Sequence, residues 1–223
     1  MDWFPTGVFL SHKFEDAELA SRVSLGLHRY GVDGFVAHQD IHISDLWRAT
    51  IIESLDTCDA LAAVLQEDFH RSEWCDQEVG WALGRHIPVI VIRPTSLTGP
   101  RTDGFLEQLQ NLSVDRGNAQ CVEFIVSSIV DFLIGCPELH RQMSESLVYA
   151  LEHPTRYRDA IDAWRAAAAM ECTWTDELLR RLRAAWLGQP FFKKAYTIPP
   201  EPYKTLQGYQ GSLLQLEEDE CPF

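Results

Sequence analysis

Short runs of apolar residues alternate with amphipathic segments over the first 135 residues of this 223-residue chain. Four of the runs have the length and apolar character of buried strands, and they occupy residues 8–10, 35–37, 60–65 and 89–92. The segments between them repeat apolar residues every three or four positions, which is typical of helices with one buried face. Strands that alternate with helices in this way predict an α/β fold, with a parallel sheet that helices cover on both faces.

Serine residues mark the predicted starts of two of these helices. Ser44 precedes one amphipathic segment, and Ser72 precedes another that ends at Gly84. A serine hydroxyl can accept a hydrogen bond from a free backbone N–H group of the first turn, so both serines are predicted N-caps. After the fourth strand the pattern predicts a loop, a short helix and a longer helix over residues 122–134, without a further strand.

Polar residues follow the predicted strands and are expected to meet at one edge of the sheet. Ligands of open parallel sheets bind outside the carboxyl ends of the strands. Residues 11–14, 38–44 and 66–74 come directly after the first three strands. We therefore predict that these three segments share the edge at which a ligand binds.

A different pattern begins at Pro137. Three amphipathic segments follow one another without a strand between them, and residues 173–176 match a capping box before the third. The first of these segments repeats apolar residues at every fourth position: Leu139, Met143, Leu147 and Leu151. Three tryptophans at helical positions are predicted core residues: Trp164, Trp174 and Trp186. We predict one domain over residues 1–135 and an all-helical extension over 136–223, which includes a Pro-rich segment and an acidic tail.

The chain is acidic, with 33 Asp and Glu against 19 Lys and Arg and a net charge of -14. Up to Gly135 the counts are 20 and nine, a net charge of -11, so the excess lies mainly on the predicted first domain. Nucleic acids and anionic membranes bind clusters of Lys and Arg. No such cluster is present, so neither is predicted as a partner. Apolar residues make up 46% of the sequence, which is enough for a substantial core.

Cysteine usage and hydropathy indicate the cellular compartment. The six cysteines are scattered without a C-x-x-C pair, and the N-terminal residues lack the basic and apolar regions of a signal peptide. The most apolar long stretch, residues 121–136, is too short to span a bilayer and contains Glu123 and Asp131. These features predict a soluble protein of the reducing cytoplasm.

Several common catalytic and binding motifs are absent from the sequence. It has no Gly-x-x-x-x-Gly-Lys phosphate loop, no Gly-x-Gly-x-x-Gly after the first strand and no Gly-x-Ser-x-Gly elbow. His70, Cys75 and His86 match no usual zinc spacing, so no metal is predicted. Cys75 follows the predicted N-cap Ser72, where a helix N-terminus can lower a thiol pKa, but a packing cysteine is the simpler interpretation.

The segment at residues 72–79 combines an aromatic ring with a carboxylate. Trp74 and Glu78 are four residues apart, so in a helix they lie on the same side. An indole can stack on the base of a ligand, and a carboxylate can accept hydrogen bonds from ribose hydroxyls and stabilise a sugar cation. A glutamate in an apolar wall also has a raised pKa, which suits acid/base chemistry. The alternative from spacing alone is a core tryptophan and a solvated glutamate.

Five sequence blocks stand in the same order as in a known family. They are VFLSH at residues 8–12, GVDGFVAHQDI at 31–41, SEWCDQE at 72–78, ALGR at 82–85 and PVIVI at 88–92. Together they resemble the Toll/interleukin-1 receptor (TIR) domain family over residues 6–134, and most closely its free-standing bacterial members. The resemblance implies a flavodoxin-like, doubly wound parallel sheet, and the enzymatic members of this group consume NAD.

The resemblance also implies roles for individual residues. Glu78 matches the catalytic glutamate, which contacts the nicotinamide ribose, and Trp74 matches the tryptophan of the W-x-x-x-E signature. Phe35 matches the aromatic residue before the BB loop, here residues 38–46. The implied NAD-binding residues are Ser11, His12, Lys13, Phe35 and Trp74. The BB loop of the family contacts the next TIR domain and helps to complete its active site, which implies a homo-oligomer.

The chain departs from the family pattern at two places. Its BB loop has His-Ile-Ser-Asp at residues 42–45, where many TIR domains have Gly or Pro-Gly. Lys13 is followed by Phe14, where some NAD-cleaving members have two basic residues. Binding of the NAD pyrophosphate is therefore expected to depend on Lys13, backbone amides and helix N-termini, with His12 or His38 contributing if protonated.

The resulting hypothesis is an enzyme that cleaves the nicotinamide–ribose bond of NAD, with NAD as substrate and no cofactor. The expected product is ADP-ribose, a cyclic ADP-ribose isomer or a related nucleotide. The chain resembles the TIR component of Thoeris anti-phage systems, in which a phage trigger starts the reaction and the product activates a separate effector. The alternatives are a non-catalytic TIR interaction module and, on a related sheet, a nucleoside-modifying transferase such as a 2'-deoxyribosyltransferase.

Overall fold

The structure is a computed structural model that describes residues 6–36, 45–66, 69, 72–97, 106, 109–170 and 174–188. By the density of backbone contacts these residues fall into two compact units. The first contains Thr6–His28 and Asp33–Phe132, and the second contains Arg29–Val32 and the described residues from Leu133 onward. The domain boundary at residue 135 is a division by sequence pattern and stays a prediction.

A five-stranded sheet forms the centre of the first unit. Its strands are Thr6–Ser11 (β1), Val32–Phe35 (β2), Ala60–Val64 (β3), Val89–Pro94 (β4) and Gln110–Val114 (β5). They are ordered β2-β1-β3-β4-β5 in space, and the β1–β3, β3–β4 and β4–β5 pairs are parallel. This is the strand order of flavodoxin-like doubly wound sheets, so the predicted α/β fold class is confirmed.

Four α-helices accompany the sheet: Ala17–Leu27 (α1), Asp45–Thr57 (α2), Glu73–Gly84 (α3) and Cys121–Ile134 (α4). Buried residues of the strands, of α2 and of α3 form one core on one face: Phe9, Ile51, Leu55, Leu61, Ala63, Cys75, Val79, Ala82, Val89 and Val91. α1 and α4 also approach each other closely. A Cβ atom at Gly26 would lie 2.6 Å from a methyl carbon of Val126. The central strands β1, β3 and β4 are therefore held by helix packing as well as by their ladders.

Both edge strands differ from the sequence prediction. β2 covers Val32–Phe35, so the predicted strand at residues 35–37 is wrong by three residues. The sequence pattern does not predict β5 at all. An edge strand is less enclosed than a central one, so it lacks the continuous apolar run that marks buried strands. β2 alternates buried and exposed residues, and Gln110, Asn111 and Ser113 make β5 largely polar.

The helix start at Ser72 is confirmed. The Ser72 hydroxyl accepts a hydrogen bond from the backbone N–H of Cys75 at 3.4 Å, and the helix ends at Gly84 as predicted. α2 begins at Asp45, and its predicted N-cap, Ser44, lies outside the described residues. The cap at Ser72 matters for the site because it sets where α3 begins at the sheet edge.

In the second unit the described chain after α4 contains the helices His140–Glu152 (α5), Tyr157–Ala169 (α6) and Asp176–Gly188 (α7), and α5 packs against the other two. The predicted apolar series and two predicted core tryptophans are buried: Leu139, Met143, Leu147, Leu151, Trp164 and Trp174. The side chain of Trp186 is not among those that the structure describes. Thr175, rather than the predicted Thr173, caps α7, and its hydroxyl accepts a hydrogen bond from the Leu178 N–H at 3.3 Å. Thr173 itself is not among the described residues.

Arg181 joins α7 to α5 through two carboxylates. Its Nε and Nη2 donate to the two carboxylate oxygens of Glu152 at 2.8 and 2.6 Å, and its Nη1 donates to Glu145 at 2.9 Å. The planar fork of arginine matches a carboxylate in this bidentate geometry, which orders both side chains. The pair therefore fixes how α5 and α7 align.

Gly31 has a backbone conformation that other residues rarely adopt. Its φ angle is +68°, and a Cβ atom there would lie 2.1 Å from the carbonyl oxygen of Ser146 on α5. We expect Gly31→Ala to lower the free energy of unfolding by at least about 2 kcal/mol, because the methyl group strains the backbone and clashes with another backbone group. Urea unfolding followed by tryptophan fluorescence measures this loss.

Gly80→Ala is the matched control. Gly80 lies in α3, and apart from its chain neighbours and the backbone of its own helix no described atom lies within 4 Å of the position its Cβ would take. Its replacement is expected to raise stability by about 0.5–1 kcal/mol through helix propensity alone. A Gly31→Ala protein as stable as the wild type would contradict the close approach of Gly31 to Ser146.

Candidate active site

β1 and α3 meet at the carboxyl edge of the sheet. β1 ends at Ser11, and α3 packs against β1, β3 and β4. Side chains alternate along a strand, so Ser11 shares the sheet face of Phe9, which lies in the core beneath α2 and α3. The strand therefore directs the Ser11 hydroxyl toward α3.

Glu78 accepts a hydrogen bond from this hydroxyl. The distance from Ser11 Oγ to Glu78 Oε2 is 2.6 Å, and Glu78 is only 7% exposed. The alternative of a solvated helix glutamate is therefore wrong, since the side chain is buried against the strand end. A buried carboxylate bonded to a neutral hydroxyl is the central feature of this site.

Burial changes the acid strength of Glu78. It raises the pKa of the Glu78 carboxyl from 4.5 to about 7, while the hydrogen bond from Ser11 favours the charged form and lowers the pKa. Both protonation states are consequently populated near neutral pH. Such a carboxyl can exchange a proton with a substrate or, when ionised, stabilise a developing cation.

Cys75 lies one turn before Glu78 and is also buried. The pKa of the Cys75 thiol is raised to about 11, mainly by burial and also by the charges of Glu78 and Asp76, although hydrogen bonds with Ser72 and Ser11 lower it. The interpretation of Cys75 as a thiol with a lowered pKa is therefore wrong. It is a packing residue that stays protonated at neutral pH and contributes to the apolar surroundings of Glu78.

The loop after β1 contains two more of the predicted site residues. His12 is buried, and its Nδ1–H donates to the carbonyl oxygen of Leu10 at 2.7 Å. Lys13 is partly exposed, and its carbonyl oxygen accepts a hydrogen bond from the Asp16 N–H at 2.9 Å across the 3-10 turn Phe14–Asp16. Both residues lie within two positions of Ser11, and their contact with NAD stays a prediction.

Trp74 and Phe35 lie on the same side of the sheet as Glu78. Trp74 precedes Glu78 by one turn of α3 and is partly exposed. Phe35 ends β2, and its ring centroid lies 5.2 Å from that of Phe9 in the shared core. Their role in NAD binding stays a prediction. The BB loop that follows, residues 38–46, lies almost entirely outside the described residues.

Sequence reasoning missed two charged residues at this edge. Arg116, two residues beyond β5, forms a bidentate ion pair with Asp16 at 2.7 and 2.8 Å. The two residues are 100 positions apart, and neither belongs to a motif that sequence patterns could identify. β5 itself was unpredicted, so nothing in the sequence indicated that Arg116 would lie near the first strand.

Metal ligands and membrane-spanning helices are missing from the part of the chain that the structure describes. No group of three His, Cys, Asp or Glu side chains there could hold a metal ion. No helix there is long and apolar enough to cross a membrane. His70, whose spacing to Cys75 and His86 matches no usual zinc pattern, is outside the described residues.

Residues 8–125, more than half of the chain, match the family model of the TIR domain. The chain therefore belongs to the TIR domain family, as its sequence blocks indicated. The matched range extends from β1 into α4 and includes Ser11, Trp74 and Glu78. No curated protein matches the chain.

Proposed function

We propose that this TIR domain cleaves the bond between nicotinamide and ribose in NAD, with Glu78 as the catalytic residue. The observation that carries the proposal is the buried Glu78 carboxylate, which Ser11 contacts at 2.6 Å at the carboxyl edge of the sheet. Burial of an ionisable group without an opposite charge is unfavourable, so such groups are concentrated at functional sites. The TIR family includes NAD-cleaving members, which makes the glycosidic bond of NAD the natural candidate.

The reaction breaks the bond between ribose C1′ and the nicotinamide nitrogen, and the electron pair leaves with neutral nicotinamide. Positive charge then develops on C1′ and the ring oxygen, as in the oxocarbenium-like transition state of glycoside hydrolysis. Ionised Glu78 stabilises this charge from a fixed, poorly solvated position. Water attacks C1′ and loses a proton to give ADP-ribose, or the adenine or a ribose hydroxyl attacks to give a cyclic isomer.

The neighbouring residues have supporting roles in this proposal. Ser11 orients the Glu78 carboxylate and favours its ionised form, as the 2.6 Å hydrogen bond indicates. Trp74 lies one helical turn away and supplies an aromatic wall for the nicotinamide ribose. Lys13 supplies a positive charge for the pyrophosphate, which is needed because the surrounding domain is acidic.

The biological setting that we propose rests on the resemblance of the five sequence blocks to free-standing bacterial TIR proteins. By that resemblance the chain acts in the cytoplasm in anti-phage defence, assembles with other TIR domains through the BB loop and makes a nucleotide signal for a separate effector. The described cysteines Cys58, Cys75, Cys121 and Cys136 are free thiols, which fits a reducing compartment. Neither nucleic acid nor a membrane is proposed as a partner.

Incubation of the purified chain with NAD, followed by mass spectrometry, tests the proposed reaction. The expected products are nicotinamide and either ADP-ribose or a cyclic isomer, formed by the chain alone or after addition of an extract from phage-infected cells. Intact NAD in both conditions, with stable binding to a second TIR domain, would support the alternative of a non-catalytic interaction module.

The pH dependence of catalysis follows from the environment of Glu78. kcat/KM for NAD is expected to rise as the pH increases through about 7, because Glu78 must be ionised and burial raises its pKa to about 7. Ser11→Ala removes the donor that favours the charged form. The midpoint is then expected to shift upward by about 0.5–1 pH unit, for a hydrogen bond of about 1 kcal/mol. Rate profiles between pH of about 5.5 and about 9 measure the shift.

Ser24→Ala is the control for this profile. Its hydroxyl donates to the Gly34 carbonyl oxygen at 2.7 Å, away from Glu78, so the same loss of a hydroxyl leaves the midpoint in place. A midpoint that Ser11→Ala does not move, or moves to lower pH, would contradict the role given to the Ser11–Glu78 hydrogen bond.

A further inference from the structure

Arg116 connects three segments at the carboxyl edge of the sheet. Its Nη1 and Nη2 donate to the two carboxylate oxygens of Asp16 at 2.7 and 2.8 Å, and Nη2 also donates to the carbonyl oxygen of Leu65 at 2.9 Å. Asp16 follows β1, Leu65 follows β3 and Arg116 follows β5. One guanidinium group thus links, through hydrogen bonds, the segments that follow three different strands.

Asp16 closes the loop that contains the predicted NAD-binding residues. This loop begins at Ser11, the last residue of β1, and ends in the 3-10 turn that leads to α1. The Asp16 N–H donates to the Lys13 carbonyl oxygen at 2.9 Å, and the Asp16 side chain is only 8% exposed. The position of Lys13 is therefore set by β1 on one side and by Asp16 on the other.

The geometry of this ion pair indicates more than a contribution to stability. Buried ion pairs add little net free energy, because the loss of hydration offsets much of the attraction. An ion pair of this geometry does fix the relative positions of its partners. The planar guanidinium makes three hydrogen bonds in an arrangement that only arginine supplies. The pair thus fixes a loop position that a flexible lysine or an exposed pair would leave loose.

A second Arg–Asp pair in the same unit gives a useful contrast. Arg85 and Asp56 are 3.0 Å apart, but their side chains are 51% and 40% exposed. This pair lies at the C-terminal end of α3, whereas the carboxyl edge of the sheet is at its N-terminal end. It has the same chemistry as the Arg116–Asp16 pair but is remote from Glu78.

We propose that Asp16 and Arg116 are positioning residues of the substrate site and hold the loop of residues 11–13 in place beside Glu78. The proposal rests on the proposed function, in which this loop binds NAD. Glu78 is held by α3 and Ser11 by β1, so the pair acts on Lys13. Its loss therefore affects substrate binding more than bond breaking.

Asp16→Asn and Arg116→Lys test this proposal. Asn removes the charge of Asp16 but keeps an amide oxygen that can accept from Arg116, whose side chain is 29% exposed and stays partly hydrated. Lys at position 116 keeps the charge but cannot form the fork. Each substitution is expected to raise KM for NAD by about tenfold or more and to change kcat by less than about threefold, because small displacements of a binding group weaken substrate positioning. Asp56→Asn is the matched control and is expected to change neither constant by more than about twofold.

A double substitution separates positioning from a general loss of structure. Lys13→Gln alone is expected to raise KM by about tenfold, since a charge-assisted hydrogen bond is lost. In the Lys13→Gln background, Asp16→Asn should add less than about twofold, because both substitutions act on the same contact. If the KM increase of the double variant equals the product of the two single increases, Asp16 acts independently of Lys13, and the proposal is overturned.

Amide hydrogen exchange of residues 12–17 gives a readout that does not need NAD cleavage. Exchange is expected to be faster in Asp16→Asn than in the wild type and unchanged in Asp56→Asn. Unchanged exchange in Asp16→Asn, or faster exchange with an unaltered KM, overturns the positioning role. A wild-type chain that leaves NAD intact would contradict the proposed function instead, and the exchange rates would still decide whether the pair holds the loop.

Discussion

Glu78→Gln is expected to abolish nicotinamide release from NAD and at the same time to make the chain more stable at pH 8. Gln has the shape of Glu and can still accept the Ser11 hydrogen bond, but it has no charge to stabilise the ribose cation. Removal of one preorganised electrostatic group typically lowers kcat by about 100- to 1000-fold, and we expect about 1000-fold or more here. Chromatography of nicotinamide measures the loss.

The gain in stability follows from the raised pKa of Glu78. Its pKa is about 7 in the folded chain against an ordinary value of 4.5, so the folded state binds the proton more tightly than the unfolded state. The stability provided by the protonated carboxyl is therefore lost as the pH rises from about 4.5 through about 7. Glu78→Gln avoids this loss, which amounts to up to about 3 kcal/mol at pH 8 and less than about 1 kcal/mol at pH 5.

Asp76→Asn is the control for both effects. Asp76 is an exposed carboxylate on the same helix, two residues before Glu78, so its neutralisation is expected to change the rate by less than about twofold and stability by less than about 0.5 kcal/mol. Urea unfolding of the three proteins at pH 5 and pH 8 gives the stabilities. A Glu78→Gln chain that is less stable than the wild type at pH 8 would contradict the burial of an ionised carboxylate.

Lys13→Glu is expected to lower kcat/KM for NAD by about 100-fold. NAD carries a negatively charged pyrophosphate, and the chain up to Gly135 has a net charge of -11, so the substrate needs a local positive charge to bind. A charge-assisted hydrogen bond contributes about 1.5–3 kcal/mol, and charge reversal adds repulsion to its loss. Initial rates over a range of NAD concentrations measure the effect, which should fall mainly on KM.

Arg22→Glu controls for the change in total charge. Arg22 is exposed on α1, and its substitution makes the same change of two charge units at a position outside the loop after β1. Its kcat/KM is expected to stay within about threefold of the wild type, since exposed charges are screened over about 10 Å. Equal losses in Lys13→Glu and Arg22→Glu would show that net charge, rather than a contact with Lys13, governs NAD use.

The parts of the fold that the sequence predicted are those with continuous apolar patterns. β1, β3 and β4 are central strands with apolar runs, and α5 has an unbroken i+4 series, so burial alone marks them. The Ser72 cap was predictable because its hydrogen bond to Cys75 is local in sequence. The edge strands β2 and β5 were misplaced or missed because only their neighbours in the sheet, and not their composition, make them strands.

The candidate site likewise combines features that a local sequence pattern can indicate with contacts between residues distant in sequence. The spacing of Trp74 and Glu78 on one helix suggested a site there, but spacing alone also fits a core tryptophan and a solvated glutamate. The family blocks favoured the site and added Ser11. The Ser11–Glu78 hydrogen bond joins residues 67 positions apart, and the Arg116–Asp16 pair joins residues 100 positions apart. Contacts over such distances depend on strand order, which no local pattern contains, and the raised pKa of Glu78 depends on the same packing.

The bond that this chain breaks in NAD is the decisive test of the role proposed for Glu78. Chromatography after incubation of NAD with the wild-type chain separates nicotinamide and ADP-ribosyl products from AMP and nicotinamide mononucleotide. The wild type is expected to release one nicotinamide for each NAD consumed and to form no AMP, and Glu78→Gln is expected to consume no NAD. Formation of AMP with nicotinamide mononucleotide, or equal release of nicotinamide by the wild type and Glu78→Gln, would contradict this role.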